Sequence, residues 1–280
     1  MNNSIHPCIW FDGNAKEAAN FYCSVFENSE IIIDTPMVVN FNLCGQKMMG
    51  LNGGPMFVKN PAISMFIFCK TENEIDNIWN KLSANGSTFM ALNEYPWSKK
   101  YGWCQDEFGL SWQVMLDENL DENQKIVPSF LFTNAVAGKA ENAMQFYISL
   151  FDNSEILVIN KYGANENQPE GNIKYARFTL NNKAFSVMDN AGEQPYNFNE
   201  AISLVVECDT QEEIDFYWEQ FTANGGQESR CGWCKDKFGI SWQIVPTILG
   251  KLMSDAEKAP RVMQAFLQMK KFNIEALLNA

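Results

Sequence analysis

The chain has 280 residues, 46% of them hydrophobic, and a formal net charge of −13 from 21 basic and 34 acidic side chains. That is enough apolar material for two domains with packed cores. An acidic field with no basic cluster argues against nucleic-acid binding, and no apolar run approaches the ~18 residues of a membrane span.

The opening Met-Asn-Asn-Ser-Ile-His lacks the basic and apolar regions of a signal peptide, so a cytoplasmic protein is expected. The eight cysteines then read as free, mostly buried thiols. Cys231 and Cys234 have C-x-x-C spacing. On a strand, residues three apart point to opposite faces, so no redox pair or zinc half-site is expected there.

Residues 5–11 read as a strand, broken at Asp12-Gly13-Asn14. Ala15, Ala18, Ala19, Tyr22 and Phe26 have helical spacing, with Asn14 as the expected N-cap and Glu17 completing a capping box. Strands follow at 31–33, 38–43 and 47–51, then a loop from Gly53 to about Pro61. Residues 62–69 form an apolar strand. Thr71 caps a second helix that stops at Ala84-Asn85-Gly86. Extra residues at 87–100 read as a loop insertion.

Residues 101–114, Tyr-Gly-Trp-Cys-Gln-Asp-Glu-Phe-Gly-Leu-Ser-Trp-Gln-Val, read as a β-hairpin turning at Asp-Glu-Phe-Gly. Period two puts Leu110, Trp112, Val114 and Leu116 on one face, to pack on a helix. Ser111, Gln113 and Met115 face the other way. That second face fits the wall of a small-molecule cavity or a solvated sheet surface. An acidic linker follows at 117–125.

The order then repeats. Residues 231–244 match 101–114 at nine of 14 positions, 140–156 match 15–31 at ten of 17, and 201–225 match 62–86 at 12 of 25. Such self-similarity indicates duplication. The second copy carries a polar insertion at 160–174, read as a mobile lid. Residues 255–271 form one amphipathic helix that packs on the body.

The β-α-β-β-β order used four times, Trp-Phe-Asp-Gly-Asn-Ala at 10–15, Phe-Tyr-x-Ser-x-Phe-x-Asn-Ser-Glu-Ile and Asp-x-Phe-Gly-x-Ser-Trp-Gln-Val together resemble the PhnB-like proteins. These belong to the vicinal-oxygen-chelate superfamily of glyoxalases, bleomycin-resistance proteins and dioxygenases, and are often labelled 3-demethylubiquinone-9 3-methyltransferase. The resemblance implies an α+β fold of tandem glyoxalase-like domains built from paired βαβββ modules. The domains would be 1–118 and 125–250, with a helical tail at 251–280. Each repeat would close its own cleft, and the repeats would pack as an internal pseudo-dimer, with a homodimer left open.

The superfamily's enzymes hold a divalent metal on His and Glu side chains of cleft-facing strands. By position those ligands would fall near Pro7 and Pro128, on Ser64 and Ser203, and on Gln113 and Gln243. None suits a divalent transition metal, and the only histidine, His6, should point away from Pro7. No metal and no cofactor are therefore expected; a Gly-rich nucleotide cradle is also missing.

Two functions stay open. One is a protein that binds a small, possibly aromatic molecule, using Trp103, Ser111, Gln113, Phe130, Phe132, Arg177, Trp233, Ser241 and Gln243. The ring surfaces of Trp112 and Trp242 would add to the aromatic walls. The other is a metal-independent enzyme of the superfamily (a lyase, a dioxygenase or the methyltransferase of the label) with Asp189, Glu207 and Arg177 as titratable groups. The two clefts should differ: the 160–174 insertion, Arg177 and Glu207 would flank Gln243, so a Gln243→Leu change should weaken a polar aromatic ligand more than Gln113→Leu.

Overall fold

A computed structural model describes residues 3–118 and 125–280, so most of the acidic linker lies outside the described residues. Four βαβββ modules follow one another. The first is β1 (Ile5–Phe11), α1 (Ala15–Val25), β2 (Ser29–Asp34), β3 (Val38–Leu43) and β4 (Gln46–Asn52). The second is β5 (Ile63–Cys69), α2 (Glu72–Ser83), β6 (Ser87–Tyr95), β7 (Ser98–Gln105) and β8 (Ser111–Leu116). The third is β9 (Ile126–Thr133), α3 (Ala140–Leu150), β10 (Ile156–Lys161), β11 (Ile173–Leu180) and β12 (Lys183–Asn190). The fourth is β13 (Ile202–Cys208), α4 (Gln211–Thr222), β14 (Gln227–Glu228), β15 (Trp233–Lys235) and β16 (Ser241–Pro246).

Two eight-stranded sheets result. Sheet A runs β14-β15-β16-β13-β1-β4-β3-β2, and sheet B runs β10-β11-β12-β9-β5-β8-β7-β6. Each sheet thus takes one module from each half of the chain. The expectation that each repeat closes its own cleft is corrected here. The free edge of β1 pairs antiparallel with β13, Cys8 beside Ser203, and that of β5 pairs with β9, Ser64 beside Ser129. The internal symmetry is real, but the modules are exchanged across it.

The helices cover one face of each sheet. β1, β5, β9 and β13 lie at the sheet centres and are buried along nearly their whole length. On the helix side, Leu110, Trp112, Val114 and Leu116 enter the core as their alternation requires. The Asp-x-Phe-Gly turn is built around its own carboxylate. Asp106 Oδ1 accepts from the backbone N–H of Phe108 (2.8 Å) and Leu110 (2.9 Å), and Oδ2 from Trp112 Nε1 (2.7 Å). Asp236 repeats this and adds a 2.6 Å bond from the Tyr147 hydroxyl. Gly109 and Gly239 close the turns at φ +80° and +90°, where a side chain would be strained.

Four local expectations change. Asn14 makes no side-chain cap; Asn52, at the end of β4, accepts from Ala15 N instead (3.0 Å). Residues 87–100 are not a loop but most of the β6–β7 hairpin. The 160–174 insertion extends β10 and β11. Its tip is tied by Tyr162 N–H to Asn172 O (2.9 Å), Gly163 N–H to Glu166 (2.7 Å) and a Lys174–Glu166 ion pair, so it is a built hairpin rather than a loose lid. The tail is three short helices, α5 (Ile248–Ser254), α6 (Ala259–Leu267) and α7 (Ile274–Leu278), not one. Val262, Phe272 and Leu277 bury it against the body. Among the described residues no helix is long and apolar enough to cross a membrane.

Candidate functional site

Each sheet turns its second face away from the helices. On sheet B that face carries Ser64, Phe66 and Phe68 of β5, Ser111, Gln113 and Met115 of β8, Tyr101 and Trp103 of β7, and Tyr175 and Arg177 of β11, as the register between strands requires. A cavity of about 730 Å³ opens there. Phe66, Tyr101, Gln113, Met115, Tyr175 and Met188 line its wall. The Trp97 end of the β6–β7 hairpin and the 158–162 stretch of β10 line it further out.

Aromatic packing gives the wall its shape. Phe66 stacks on Phe68 (4.7 Å, 12°) and meets Tyr101 and Tyr175 edge to face at 6.1 and 6.0 Å. Arg177 lies over the Phe68 ring at 4.9 Å. Burial pushes the Tyr175 hydroxyl up to about 12, so it is a neutral donor at any ordinary pH. Lys161 and Lys174 border the cavity, but each is paired, with Glu141 and Glu166, so the border carries little net charge.

Gln113 is fixed from both ends. Its Nε2 donates to Ser64 Oγ (2.8 Å), and its Oε1 accepts from Tyr101 OH (2.6 Å). An amide has two N–H groups and two carbonyl lone pairs, so one of each remains beyond these bonds for a guest. Ser111, in contrast, is occupied by Trp103 Nε1 (2.8 Å).

The sequence-derived candidates therefore divide. Trp103, Ser111, Gln113 and Arg177 belong to sheet B; Trp233, Ser241 and Gln243 belong to sheet A. Phe130 and Phe132 are corrected: both point into the helix-covered core and are fully buried. Trp112 and Trp242 are equally buried and offer no ring surface to a guest. Asp189 is also spoken for. Its carboxylate accepts from Gly138 N (2.7 Å), Ala140 N (3.2 Å) and Ile173 N (2.9 Å), holding the start of α3. Glu207 pairs with Lys47 on sheet A at 2.6 Å. Phe66, Tyr101, Tyr175 and Met188 were missed. The signal was available in the alternation Ser64-Phe66-Phe68, but only the register with β9 reveals which face is open.

The insertion and Arg177 flank Gln113, not Gln243, which reverses the expected ranking of the clefts. The first-strand phase also changes. Pro7 pairs with Leu204, whose side chain enters the helix-covered core, whereas His6 and Cys8 share the open face of sheet A with Ser203 and Gln243.

The fold family's metal would need imidazole and carboxylate donors at these places. Sheet B offers Ser129, Ser64 and Gln113, and sheet A offers one imidazole with a thiol, a hydroxyl and an amide, a poor donor set for a divalent transition metal. Among the described residues no three His, Cys, Asp or Glu side chains are grouped to hold one.

Comparison with known proteins agrees with this architecture. The family model for 3-demethylubiquinone-9 3-methyltransferase matches residues 3–115 and again 124–245. A PhnB protein of Bacillus cereus, described with the same methyltransferase name, is 37% identical over 40% of this chain and 98% of its own, with a TM-score of 0.38. Glyoxalase I of Zea mays is 12% identical but covers 91% of this chain and 97% of its own, at a TM-score of 0.60, a likeness of fold. No curated protein matches the chain. With both halves matched and two α+β sheets of glyoxalase type, the chain belongs to the PhnB-like, 3-demethylubiquinone-9 3-methyltransferase-like family of the vicinal-oxygen-chelate fold.

Proposed function

We propose that the protein binds a small planar aromatic molecule in the cleft of sheet B, without a metal. The observation that carries this reading is the cavity of about 730 Å³ walled by Phe66, Tyr101, Tyr175 and Met115. Ligand pockets commonly fall between ~300 and ~1,000 Å³ and pair apolar walls with a few directional polar groups. Gln113 and the Tyr175 hydroxyl are those groups here. The aromatic edges favour a flat guest, which gains offset or edge-to-face contacts on entering.

Titration with quinoline and 2-naphthol, read by tryptophan fluorescence and by protein NMR, tests this. Gln113→Leu should weaken binding by about 1–3 kcal/mol, since the guest's polar group then loses its partner in a dry site. Gln243→Leu, on the other sheet, should leave it unchanged. Equal losses, or saturable binding that ignores Gln113 and Phe66→Ala, would rule the cleft out.

A further inference from the structure

The 160–174 insertion separates the two halves of the chain, and its residues sit on the cavity of sheet B. In the first half the edge strand β2 runs into a Thr35-Pro36 turn, and Met37 stands where β11 has Lys174. In the second half the longer β10–β11 hairpin brings Asn160, Lys161, Tyr162 and Lys174 to the outer wall of the cavity. Among the described residues that line it, Lys161 and Lys174 are the only charged ones.

Lys174 reaches that wall because its strand is irregular. Tyr175 and Arg177 face the open side, so strict alternation would send Lys174 with Ala176 to the helix-covered side. Asn160 pairs with Tyr175 and Lys161 with Ile173, which leaves Lys174 as the extra residue of a β-bulge. A bulge re-aims the side chain it frees. Here it lets Lys174 line the cavity, its ammonium over the Tyr162 ring at 5.7 Å.

Both lysines are paired, yet the pairing leaves them available. Neither Glu141 nor Glu166 lines the cavity, so they neutralise the lysines without occupying it. Glu166 is also held by the backbone N–H of Gly163 at 2.7 Å, independently of Lys174. All four side chains are partly open to solvent, where ion pairs are weak and exchange readily. An ammonium group has three donors. Lys174 donates to one Glu166 oxygen, and Lys161 to the two Glu141 oxygens at 2.8 and 2.7 Å, so each keeps an N–H for a guest.

Building on the aromatic-cleft reading, we propose that the guest of this cleft is an aromatic acid, its ring against Phe66 and Tyr101 and a carboxylate at its far end held by Lys161 and Lys174. The uncharged end of the ring system meets Gln113. A cavity of about 730 Å³ has room for both ends at once. A cationic guest would face like charges on the wall, and an uncharged one would leave the ammonium donors unused. A carboxylate accepts at two oxygens, so it can bridge two ammonium groups. Against a net charge of −13, such a guest gains only from these local donors, and that gain is sensitive to salt.

Calorimetric titration near neutral pH with 2-naphthol, 6-hydroxy-2-naphthoate and the uncharged 6-hydroxy-2-naphthamide tests this. The carboxylate should bind about tenfold tighter than the amide, and the gain should shrink as NaCl rises from about 20 to about 200 mM. Lys161→Gln and Lys174→Gln should each cut the carboxylate's advantage over the amide about threefold. Glu166→Gln should raise that advantage, because it frees Lys174 while the Gly163 N–H keeps an acceptor. The thermal midpoint of each variant shows that it is folded. Saturable binding of 2-naphthol that depends on Gln113, with no advantage for the carboxylate, would overturn the aromatic acid and leave the cleft standing. An advantage that survives loss of both lysines, or that Glu166→Gln leaves unimproved, would equally count against it. Absence of saturable binding by all three compounds would remove the cleft and the acid together.

Discussion

At the scale of single residues, the two buried aspartates and the lone histidine decide most. Burial raises the Asp236 carboxyl, and bonds from Tyr147, Trp242, Phe238 and Ile240 pull it back. Asp236→Ala leaves two backbone and two side-chain donors buried without an acceptor. A cost of about 3 kcal/mol is expected in urea denaturation. Asp236→Asn should also destabilise, because its amide hydrogens cannot serve the donors on that side. His6 works through pH. Its folded pKa lies near 3 against an ordinary 6.5. Between those values the unfolded chain binds one proton more than the native one, so stability falls as pH falls. From pH 7 to pH 5 the loss should be about 2 kcal/mol. The difference between wild type and His6→Asn in denaturant midpoints at the two pH values isolates this contribution; parallel curves would contradict it.

Among elements, the turns were readable and the strand partners were not. Asp-x-Phe-Gly announces itself because its carboxylate, turn glycine and tryptophan all lie within seven residues of each other. Thr71 was equally plain as a cap, its hydroxyl accepting from Glu74 N at 3.2 Å, and Thr210 adds a full capping box with Glu213. Asn14 misled because the cap of α1 comes from Asn52, 37 residues ahead. Asn52→Ala and Thr210→Ala should therefore each cost about 1 kcal/mol, and Asn14→Ala close to nothing, in the same denaturation assay. Central strands such as β1 and β9 are buried on both faces. They show no alternation, so nothing local distinguishes the face of His6 from that of Pro7, or sends Phe130 inward. The open faces became legible only through pairing with strands of the other half.

For the molecule as a whole, exchange of modules makes the two halves interdependent. A fragment of residues 1–118 carries one module of each sheet and leaves β1 and β5 with an unpaired edge. Two such fragments can supply each other's missing modules. Expressed alone, this fragment should sediment as a homodimer, and a stable monomer would contradict the exchange. Cleavage of the intact chain within the 117–125 linker should likewise leave both pieces associated under native conditions.

The same exchange sets how the protein answers tension. Its first strand, β1, and its last, β16, both belong to sheet A, separated only by β13, while all of sheet B lies between residues 63 and 190. A pull on the two ends peels α5 to α7 and then loads β1 against β13 and β13 against β16. Among the described residues, sheet B is hydrogen-bonded to the N-terminal segment only at its β11–β12 turn, where Asn181 Nδ2 donates to Asn3 O, so its strands are loaded after that grip slips. The pairings of β13 are thus the mechanical fuse of the molecule, and the aromatic cleft is shielded behind them.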